Sequence, residues 1–328
     1  MPIPIHRARV AATAVAVVVL GSLAFASIGE AKSIPAELRV VDSDGDILAE
    51  QTQYTQTSDT EVKTDKKADC FGPDNVGSGK TALVPGATAL SQLLDAQVSD
   101  KDVKPVSVSD AFDFGLALCG IGEAVATEEG FLLLKQNHAD SESGAEGTTL
   151  KKGDSILWYL VEDFNQPTPD ELELSVKPTA KPGSDIKVKV VSYDGAGKKT
   201  PAEGAKVNDA DGLTDAKGVT TVPAESDLVL MQATRKGAIP SNVGEVCTTK
   251  LSKCPLGYAG RIGGTKGDDK ITATKDAETI LAGAGDDKIT ADQGGAPDQI
   301  KCGAGDDTVT ISGGSPSKLS GCEKVDEV

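Results

Sequence analysis

A short pattern repeats through residues 264–310, which read GTKGDDKIT ATKDAETIL AGAGDDKIT ADQGGAPDQIK CGAGDDTVT. Each unit carries an apolar residue near its end, after a turn rich in Gly and Asp. These apolar residues lie 9, 9, 11 and 9 positions apart and are Ile271, Ile280, Ile289, Ile300 and Val309. Glycine adopts the positive φ of tight turns, and Asp favours turns. The spacing therefore predicts short strands that stack with their apolar side chains inward.

Three of the units keep an intact Gly-Asp-Asp turn. These turns are Gly267-Asp268-Asp269, Gly285-Asp286-Asp287 and Gly305-Asp306-Asp307. Calcium takes about six to eight hard oxygen ligands, which the carbonyls and carboxylates of stacked turns can supply. The pattern resembles the RTX hemolysin-type calcium-binding repeat over about 50 residues. The resemblance implies a parallel β-roll with two units per coil, in which Asp269, Asp287 and Asp307 form one column that binds one or two Ca²⁺ ions.

The units between these turns depart from the pattern. Unit two has Asp276 where Gly is expected and Glu278 where Asp is expected. Unit four has Ala296 and Asp298 at the same two positions. We therefore expect calcium at the intact column rather than at the opposite one. The alternative is a calcium-free solenoid in which the aspartates only favour turns.

The composition favours a mainly β fold and disfavours two classes of binding partner. The chain has 328 residues, 33 Lys and Arg against 50 Asp and Glu, and a net charge of −17. This excess of acid disfavours nucleic acid and anionic lipid surfaces, both of which attract basic proteins. The 36 Gly and 16 Pro, with few long helical patterns, predict a mainly β protein. The length suits several small domains rather than one large core.

The N-terminus has the features of an export signal. A basic start precedes an uncharged stretch over residues 10–28, and Ala24 and Ala26 are the small residues that a signal peptidase reads. We predict residues 1–26 to be a signal peptide, so that the protein is secreted or displayed on the cell surface. The alternative is an uncleaved membrane anchor, because the apolar stretch nearly reaches spanning length. No membrane insertion is expected after cleavage.

Six cysteines in an exported chain predict disulfides. Their clustering suggests the sequential pairs Cys70–Cys119, Cys247–Cys254 and Cys302–Cys322, although other pairings stay possible. The last pair would tie the final coil to the Leu319–Val325 segment and cap the repeat, because stacked repeats need caps. No CxxC motif occurs, so neither a thioredoxin-type redox role nor a zinc knuckle is expected.

Residues 34–164 hold most of the aromatic residues and are predicted to form the best-packed domain. The sequence predicts a hairpin turn at Asp44-Gly45 and a helix over 88–96 with Thr88 as N-cap. Segments 130–138 and 150–159 carry a resemblance to the transcobalamin-like C-terminal domain family, over about 130 residues. The resemblance implies a compact α+β, β-grasp-like fold that binds a soluble ligand. The helical domain that accompanies this module in cobalamin carriers has no counterpart in this sequence.

The next segment has a different pattern. Residues 165–170 are a linker by composition, and residues 171–246 alternate apolar and polar residues, for example over 186–190. They resemble bacterial immunoglobulin-like or carboxypeptidase-regulatory-like modules, which implies a β-sandwich that acts as a spacer. Residues 247–260 are interpreted as a disulfide-stapled connector, and residues 261–328 as the β-roll with its terminal cap.

The sequence contains no recognisable catalytic arrangement. His138 is the one histidine outside the predicted signal, and no Gly-x-Ser-x-Gly elbow accompanies it. We interpret His138 as a surface or turn residue. Paired surface carboxylates leave a hydrolase as an alternative. A set of five aromatic residues is interpreted as a core cluster rather than a ligand pocket; they are Phe112, Phe114, Phe131, Trp158 and Tyr159.

These observations predict an exported, non-enzymatic, calcium-binding protein of the surface or the extracellular space. Calcium binding and folding of the repeat would be linked. The N-terminal domain would present or bind an unknown ligand or surface partner. The alternatives are a soluble-ligand-binding protein, with a cobalamin-like ligand among the candidates, and a calcium-dependent adhesion or matrix protein.

Overall fold

A computed structural model describes residues 32–68, 70–250, 254, 260–274, 277–291, 297–312 and 318–328. The predicted signal peptide, residues 1–26, lies outside them, as do Asp276, Ala296 and part of the connector. The described residues form one helix and 27 strands in several sheets, which confirms a mainly β protein. Within these ranges no helix is both long and apolar enough to span a bilayer.

The strands are short, and their bounds follow in chain order. The N-terminal region contains β1 Ser33–Val41, β2 Ile47–Gln56, β3 Thr60–Lys63, β4 Thr81–Val84, helix α1 Ala89–Ser99, β5 Val106–Phe112, β6 Gly115–Ile121, β7 Ala124–Val125, β8 Phe131–Gln136, β9 Ala139–Asp140 and β10 Ser155–Val161. The middle region contains β11 Asp170–Ser175, β12 Asp185–Tyr193, β13 Lys199–Pro201, β14 Lys206–Val207, β15 Val219–Pro223, β16 Leu228–Met231, β17 Ala233–Thr234, β18 Ala238–Ile239 and β19 Gly244–Cys247. The C-terminal region contains β20 Arg261–Gly263, β21 Lys270–Thr272, β22 Thr279–Ala284, β23 Lys288–Ala291, β24 Gln299–Ala304, β25 Thr308–Ile311, β26 Lys318–Ser320 and β27 Lys324–Glu327.

The N-terminal strands build a sheet in the order β2-β1-β10-β8-β9. β1 and β2 form an antiparallel hairpin around the predicted turn at Asp44-Gly45, and β10 pairs with β1 in parallel. Parallel neighbours need a long crossover, which here includes α1. Leu90 of α1 packs on one face of the sheet against Leu38 and Trp158, and this face holds the largest apolar cluster of the region.

Helix α1 begins where the sequence predicts. The Thr88 hydroxyl accepts a hydrogen bond from the Ser91 N–H at 3.2 Å, and the Ser91 hydroxyl accepts one from the Thr88 N–H at 2.8 Å. This capping box satisfies donors that the first turn of a helix cannot satisfy internally. The helix continues to Ser99, which is three residues beyond its predicted end at Ala96.

The aromatic residues that the sequence groups into one core lie in three places. Trp158 is buried against α1, whereas Tyr159 and Phe131 lie on the opposite face of the sheet. Phe112 and Phe114 stack with their ring centroids 4.9 Å apart, and Phe114 is 74% exposed. The single-cluster prediction is wrong because adjacent residues of a strand face opposite sides of a sheet.

The middle region packs on the second face of the N-terminal sheet. Its strands form a sheet in the order β13-β12-β11-β18, with β15 beside β12, and two further pairs, β14-β17 and β16-β19. The alternation predicted over 186–190 is present in β12, whose apolar residues are buried and whose lysines are exposed. Ile239 of β18 packs with Leu157 in an apolar cluster on that second face. β11 begins at Asp170, the last residue of the predicted linker.

The strands β20 to β27 form two parallel sheets, which together are called the coil stack below. β20, β22, β24 and β26 pair in one sheet, and β21, β23, β25 and β27 pair in the other. Ile271, Ile289 and Val309 occupy equivalent positions in register, and all three are buried. Ile280 and Ile300 do the same in the facing sheet. The repeated apolar residues therefore form the interior of the stack.

The coil stack continues the N-terminal sheet. β20 pairs in parallel with β2 through Thr52 opposite Ile262 and Gln53 opposite Gly263, so a nine-stranded sheet runs through both regions. The Gln53 side-chain amide donates to the carbonyl of Gly264, which is 211 residues away in the chain, at 3.1 Å. β2 thus covers the first edge of the stack, where an unpaired strand would otherwise expose its backbone groups.

Replacing Tyr54 by Phe is expected to weaken the attachment of β2 to the coil stack. The aromatic ring would still fill its place in the apolar core of the stack. Tyr54 is buried among the apolar residues of the stack, and its hydroxyl accepts from the Thr272 N–H at 3.3 Å. Loss of that acceptor should cost about 1 kcal/mol of unfolding free energy and speed hydrogen exchange in β21. Tyr159→Phe is the control, because the described chain shows no hydrogen bond to the Tyr159 hydroxyl. Equal exchange in both variants would contradict the contact.

Candidate metal centre

Three buried carboxylates lie in line along one side of the coil stack and are called the inner column. They belong to Asp269, Asp287 and Asp307, which immediately precede β21, β23 and β25. Their exposed fractions are 3%, 1% and 0%. The parallel register of the three strands stacks the preceding turns, so the structure brings these three sequence-predicted residues together.

Two of the three inner carboxylates accept from the backbone of a neighbouring turn, and the third accepts from an N–H of its own turn. The Asp269 N–H donates to Oδ1 of Asp287 at 2.8 Å, and the Asp287 N–H donates to Oδ1 of Asp307 at 2.9 Å. Glu323 continues the series, because its Oε2 accepts from the Asp307 N–H at 2.9 Å. Glu323 is not among the residues predicted from the sequence, because no Gly-Asp turn precedes it. The sequence feature that marks Glu323 is its position two residues before the apolar residue Val325, the same spacing as in the inner column.

The other acid of each intact turn faces solvent. The Asp286 N–H donates to Oδ1 of Asp268 at 2.8 Å, and the Asp306 N–H donates to Oδ1 of Asp286 at 2.9 Å. These bonds also link neighbouring turns, in the opposite direction to those of the inner column. Because Asp268, Asp286 and Asp306 lie at the surface, water can satisfy their remaining oxygens.

The glycines of the intact turns allow close stacking. Gly285 and Gly305 have φ values of +107° and +140°. A Cβ on Gly285 would lie 2.4 Å from the carbonyl carbon of Gly267, and one on Gly305 would lie 2.1 Å from the carbonyl oxygen of Gly285. A side chain at these positions would push the turns apart. In the structure, these glycines allow the backbones of neighbouring turns to lie in close contact.

One oxygen of each inner carboxylate has no hydrogen-bond partner among the residues that the structure describes. Oδ1 of Asp269, Oδ2 of Asp287 and Oδ2 of Asp307 are buried and accept no hydrogen bond from the described residues. Burial raises the pKa of Asp287 to about 8, and the charges of Asp269 and Asp307 add to the effect. Burial also raises the pKa of Asp269 and of Asp307. Such oxygens are stabilised by a proton or by a bound cation.

The opposite side of the stack carries a comparable pair of acids. Glu278 and Asp298 precede β22 and β24 and are 3% and 2% exposed, and the Glu278 N–H donates to Oδ1 of Asp298 at 3.0 Å. Glu278 also accepts from the hydroxyl and the N–H of Thr274. Burial raises the pKa of Glu278 to about 7, with a further contribution from the charge of Asp298. The Gly-Asp turn pattern does not predict this pair, because both turns lack the expected glycine. Each acid nevertheless lies two residues before a buried apolar residue, Ile280 or Ile300, as the acids of the inner column do.

The carboxylates alone do not complete a metal site. Among the residues with described positions, no group of three or more His, Cys, Asp or Glu side chains is arranged to hold a metal ion. Calcium takes about six to eight oxygen ligands. A calcium ion at the inner column would therefore need backbone carbonyl groups of the turns in addition to the carboxylates.

Three disulfides fasten the strands and loops, as the clustering of the cysteines predicts. They join Cys70 to Cys119, Cys247 to Cys254 and Cys302 to Cys322, with Cα–Cα distances of 4.9, 5.9 and 5.2 Å. The third links β24 to the residues between β26 and β27. Among the described strands, β26 and β27 each pair with one neighbour and lie at the C-terminal end of the stack.

A scan against known family models, a search of curated proteins and a search of solved structures all find no match to this chain.

Proposed function

We propose that the chain is an exported, non-enzymatic protein of the cell surface or the extracellular space, and that its coil stack binds calcium. The observation that carries this proposal is the inner column, in which three buried carboxylates each keep an oxygen that accepts no hydrogen bond from the described part of the chain. Asp269, Asp287 and Asp307 would hold Ca²⁺ together with turn carbonyls. The bound ion would offset the repulsion among the carboxylates, so that calcium binding and folding are linked.

The same proposal includes a finer description of the domains. The strand order β2-β1-β10-β8 with its parallel central pair supports a β-grasp-like domain over 34–164. The shared apolar core of the middle sheets supports an immunoglobulin-like β-sandwich over 171–246. The two parallel sheets of the coil stack support a β-roll over 261–328. A signal peptide over 1–26 would bring this β-roll to extracellular calcium, where modules of this kind work at about 10⁻⁴–10⁻³ M.

Calcium titration of the whole mature chain tests the proposal. The whole chain is required because β2 covers the first edge of the stack. We expect calorimetric binding and a gain of about 1–3 kcal/mol in unfolding free energy at saturating calcium. Asp287→Asn removes one charge but keeps an acceptor for the Asp269 N–H, and it should weaken calcium binding at least about tenfold.

Asp185→Asn provides the matched control, because this carboxylate is exposed at the start of β12. It should leave calcium binding unchanged. The proposal is overturned if the wild-type chain shows no binding heat, or if Asp287→Asn and Asp185→Asn bind calcium equally well.

A further inference from the structure

A cavity of about 210 Å³ lies at the seam between the N-terminal sheet and the middle region. Glu37 and Glu50 line it from β1 and β2, and His138 lines it from the turn between β8 and β9. Glu171 and Glu173 line it from β11 of the middle region. Two regions thus build this cavity together, and it shares no residue with the coil stack.

The four carboxylates of the cavity exceed the cations beside them. Nη2 of Arg39 lies 2.5 Å from Oε1 of Glu171, and Nζ of Lys199 lies 3.1 Å from Oε2 of Glu173. The other two carboxylates, on β1 and β2, have no ion-pair partner in the part of the chain that the structure describes. The four carboxylates therefore outnumber these two cationic partners by two.

One of the carboxylates is buried and another is half-buried, and the Arg39 guanidinium lies near both. Glu171 is 2% exposed, and its Oε2 accepts no hydrogen bond from the described residues. The Glu50 oxygens accept from the Val243 backbone N–H at 3.1 and 3.2 Å. Burial raises the pKa of Glu50 to about 7, despite the opposing effect of Arg39. A cation in the cavity would stabilise the ionised form of both groups.

An aromatic surface borders these acids. The His138 ring stacks on Tyr193, with centroids 4.0 Å apart and 7° between the planes. Nδ1 of His138 lies 3.2 Å from Oε1 of Glu171. Asn137 and His138 have φ values of +51° and +72°, which residues with side chains rarely adopt. The turn thus holds a flat ring beside the carboxylates, where the alkyl part of an organic cation can pack.

We propose that this cavity binds a short aliphatic diamine. Two ammonium groups match the two unbalanced carboxylates, and each donates up to three hydrogen bonds to oxygens such as Oε2 of Glu171. The proposed function expects the N-terminal region to bind a ligand, and this inference names the chemical class of that ligand. It depends on the proposed function in this respect only.

Isothermal titration calorimetry of the whole chain with 1,4-diaminobutane tests this inference, in calcium-containing buffer near pH 8, above the pKa of about 7 that burial gives Glu50. 1,4-Butanediol is the matched ligand control, since it has the same chain length and no charge. We expect saturable binding of the diamine and none of the diol. Glu50→Gln should weaken diamine binding at least about tenfold, whereas Glu162→Gln, which changes an exposed residue outside the cavity, should leave it unchanged.

Thermal unfolding of each variant shows whether it remains folded. Absence of diamine binding by the wild-type chain overturns the proposal, as does equal binding of the diol. A folded Glu50→Gln variant with unchanged diamine affinity overturns it as well. If Glu50→Gln does not fold, Glu37→Gln replaces it with the same expected loss. Asp287→Asn, which tests the calcium site, should leave diamine affinity unchanged, so the two proposals fail separately.

Discussion

Raising the pH from about 5 to about 8 in the presence of a calcium chelator should lower the unfolding free energy of the coil stack by about 2–4 kcal/mol, once solvent screening is allowed for. The cause is the set of buried acids on both sides of the stack. Burial raises the pKa of Asp287 to about 8 and that of Glu278 to about 7, and it also raises the pKa of Asp269 and of Asp307. In the unfolded chain, the same groups titrate near pH 4.

The direction of the effect follows from counting protons. Between about pH 4 and about pH 8, the folded stack holds protons that the unfolded chain has released, so unfolding becomes more favourable as the pH rises. The stability is fully present below the unfolded pKa values and is lost as the pH passes the folded pKa of Asp287, about 8. Calcium would replace these protons and should therefore stabilise the stack more at high pH than at low pH. Urea denaturation at several pH values, with and without calcium, measures both effects.

Asp287→Asn separates the inner column from other titrating groups. The uncharged amide should stabilise the chelated stack near pH 8, flatten the pH profile and remove most of the response to calcium. Burial raises the pKa of Asp95 and of Glu50 in the N-terminal region to about 7, which gives a slope of the same sign. That contribution is the same in both chains. Identical pH profiles for the variant and the wild type would mean that the inner column does not titrate in this range.

Gly283→Ala should destabilise the coil stack by about 3–5 kcal/mol. Gly283 has a φ of +106°, and a Cβ there would lie 2.0 Å from the carbonyl oxygen of Thr265 in the neighbouring coil. That oxygen accepts the Ala284 N–H at 3.0 Å, so moving it away would break a hydrogen bond between coils. Alanine therefore adds backbone strain at a positive φ and a steric clash with the Thr265 carbonyl oxygen, which its hydrogen bond holds in place.

Two other glycines serve as controls for this substitution. Gly183 has a φ of +70°, and no heavy atom lies within 4 Å of the place that a Cβ would occupy, so Gly183→Ala introduces conformational strain alone, at about 1 kcal/mol. Gly212 has neither a positive φ nor a close neighbour, so Gly212→Ala should be nearly neutral. The comparison is made by urea denaturation of the three variants. A Gly283→Ala chain as stable as Gly183→Ala would contradict the close approach of the coils.

Features that depend on nearby residues or on a strict repeat could be predicted from the sequence. The N-cap at Thr88 and the hairpin turn at Asp44-Gly45 require contacts within a few positions only. The period of the repeat places Ile271 and Ile289 in register, because equal spacing returns each strand to the same place in successive coils. The sequential disulfide pairs follow instead from the clustering of the cysteines along the chain, because Cys70 and Cys119 are 49 residues apart.

Features that depend on distant contacts could not be predicted in this way. Pairing of β2 with β20 joins strands about 200 residues apart, and neither strand carries a local pattern that specifies the other. His138 does lie in a turn, as expected, but its stacking on Tyr193 depends on how the middle region docks. The placement of Trp158 and Tyr159 on opposite faces of β10, in contrast, could be predicted from the sequence. Successive side chains of a strand point to opposite sides of the sheet.

The disulfide between Cys302 and Cys322 limits how much chain a pulling force can release from the C-terminal end of the molecule. A pulling force on that end would peel coils from the stack one at a time, because each coil contacts only its neighbours. While the bond is intact, the load passes directly from Cys322 to Cys302, and the 20-residue separation between them adds no length to the tether. Reduction of this one bond would release up to about 70 Å of extended chain under load.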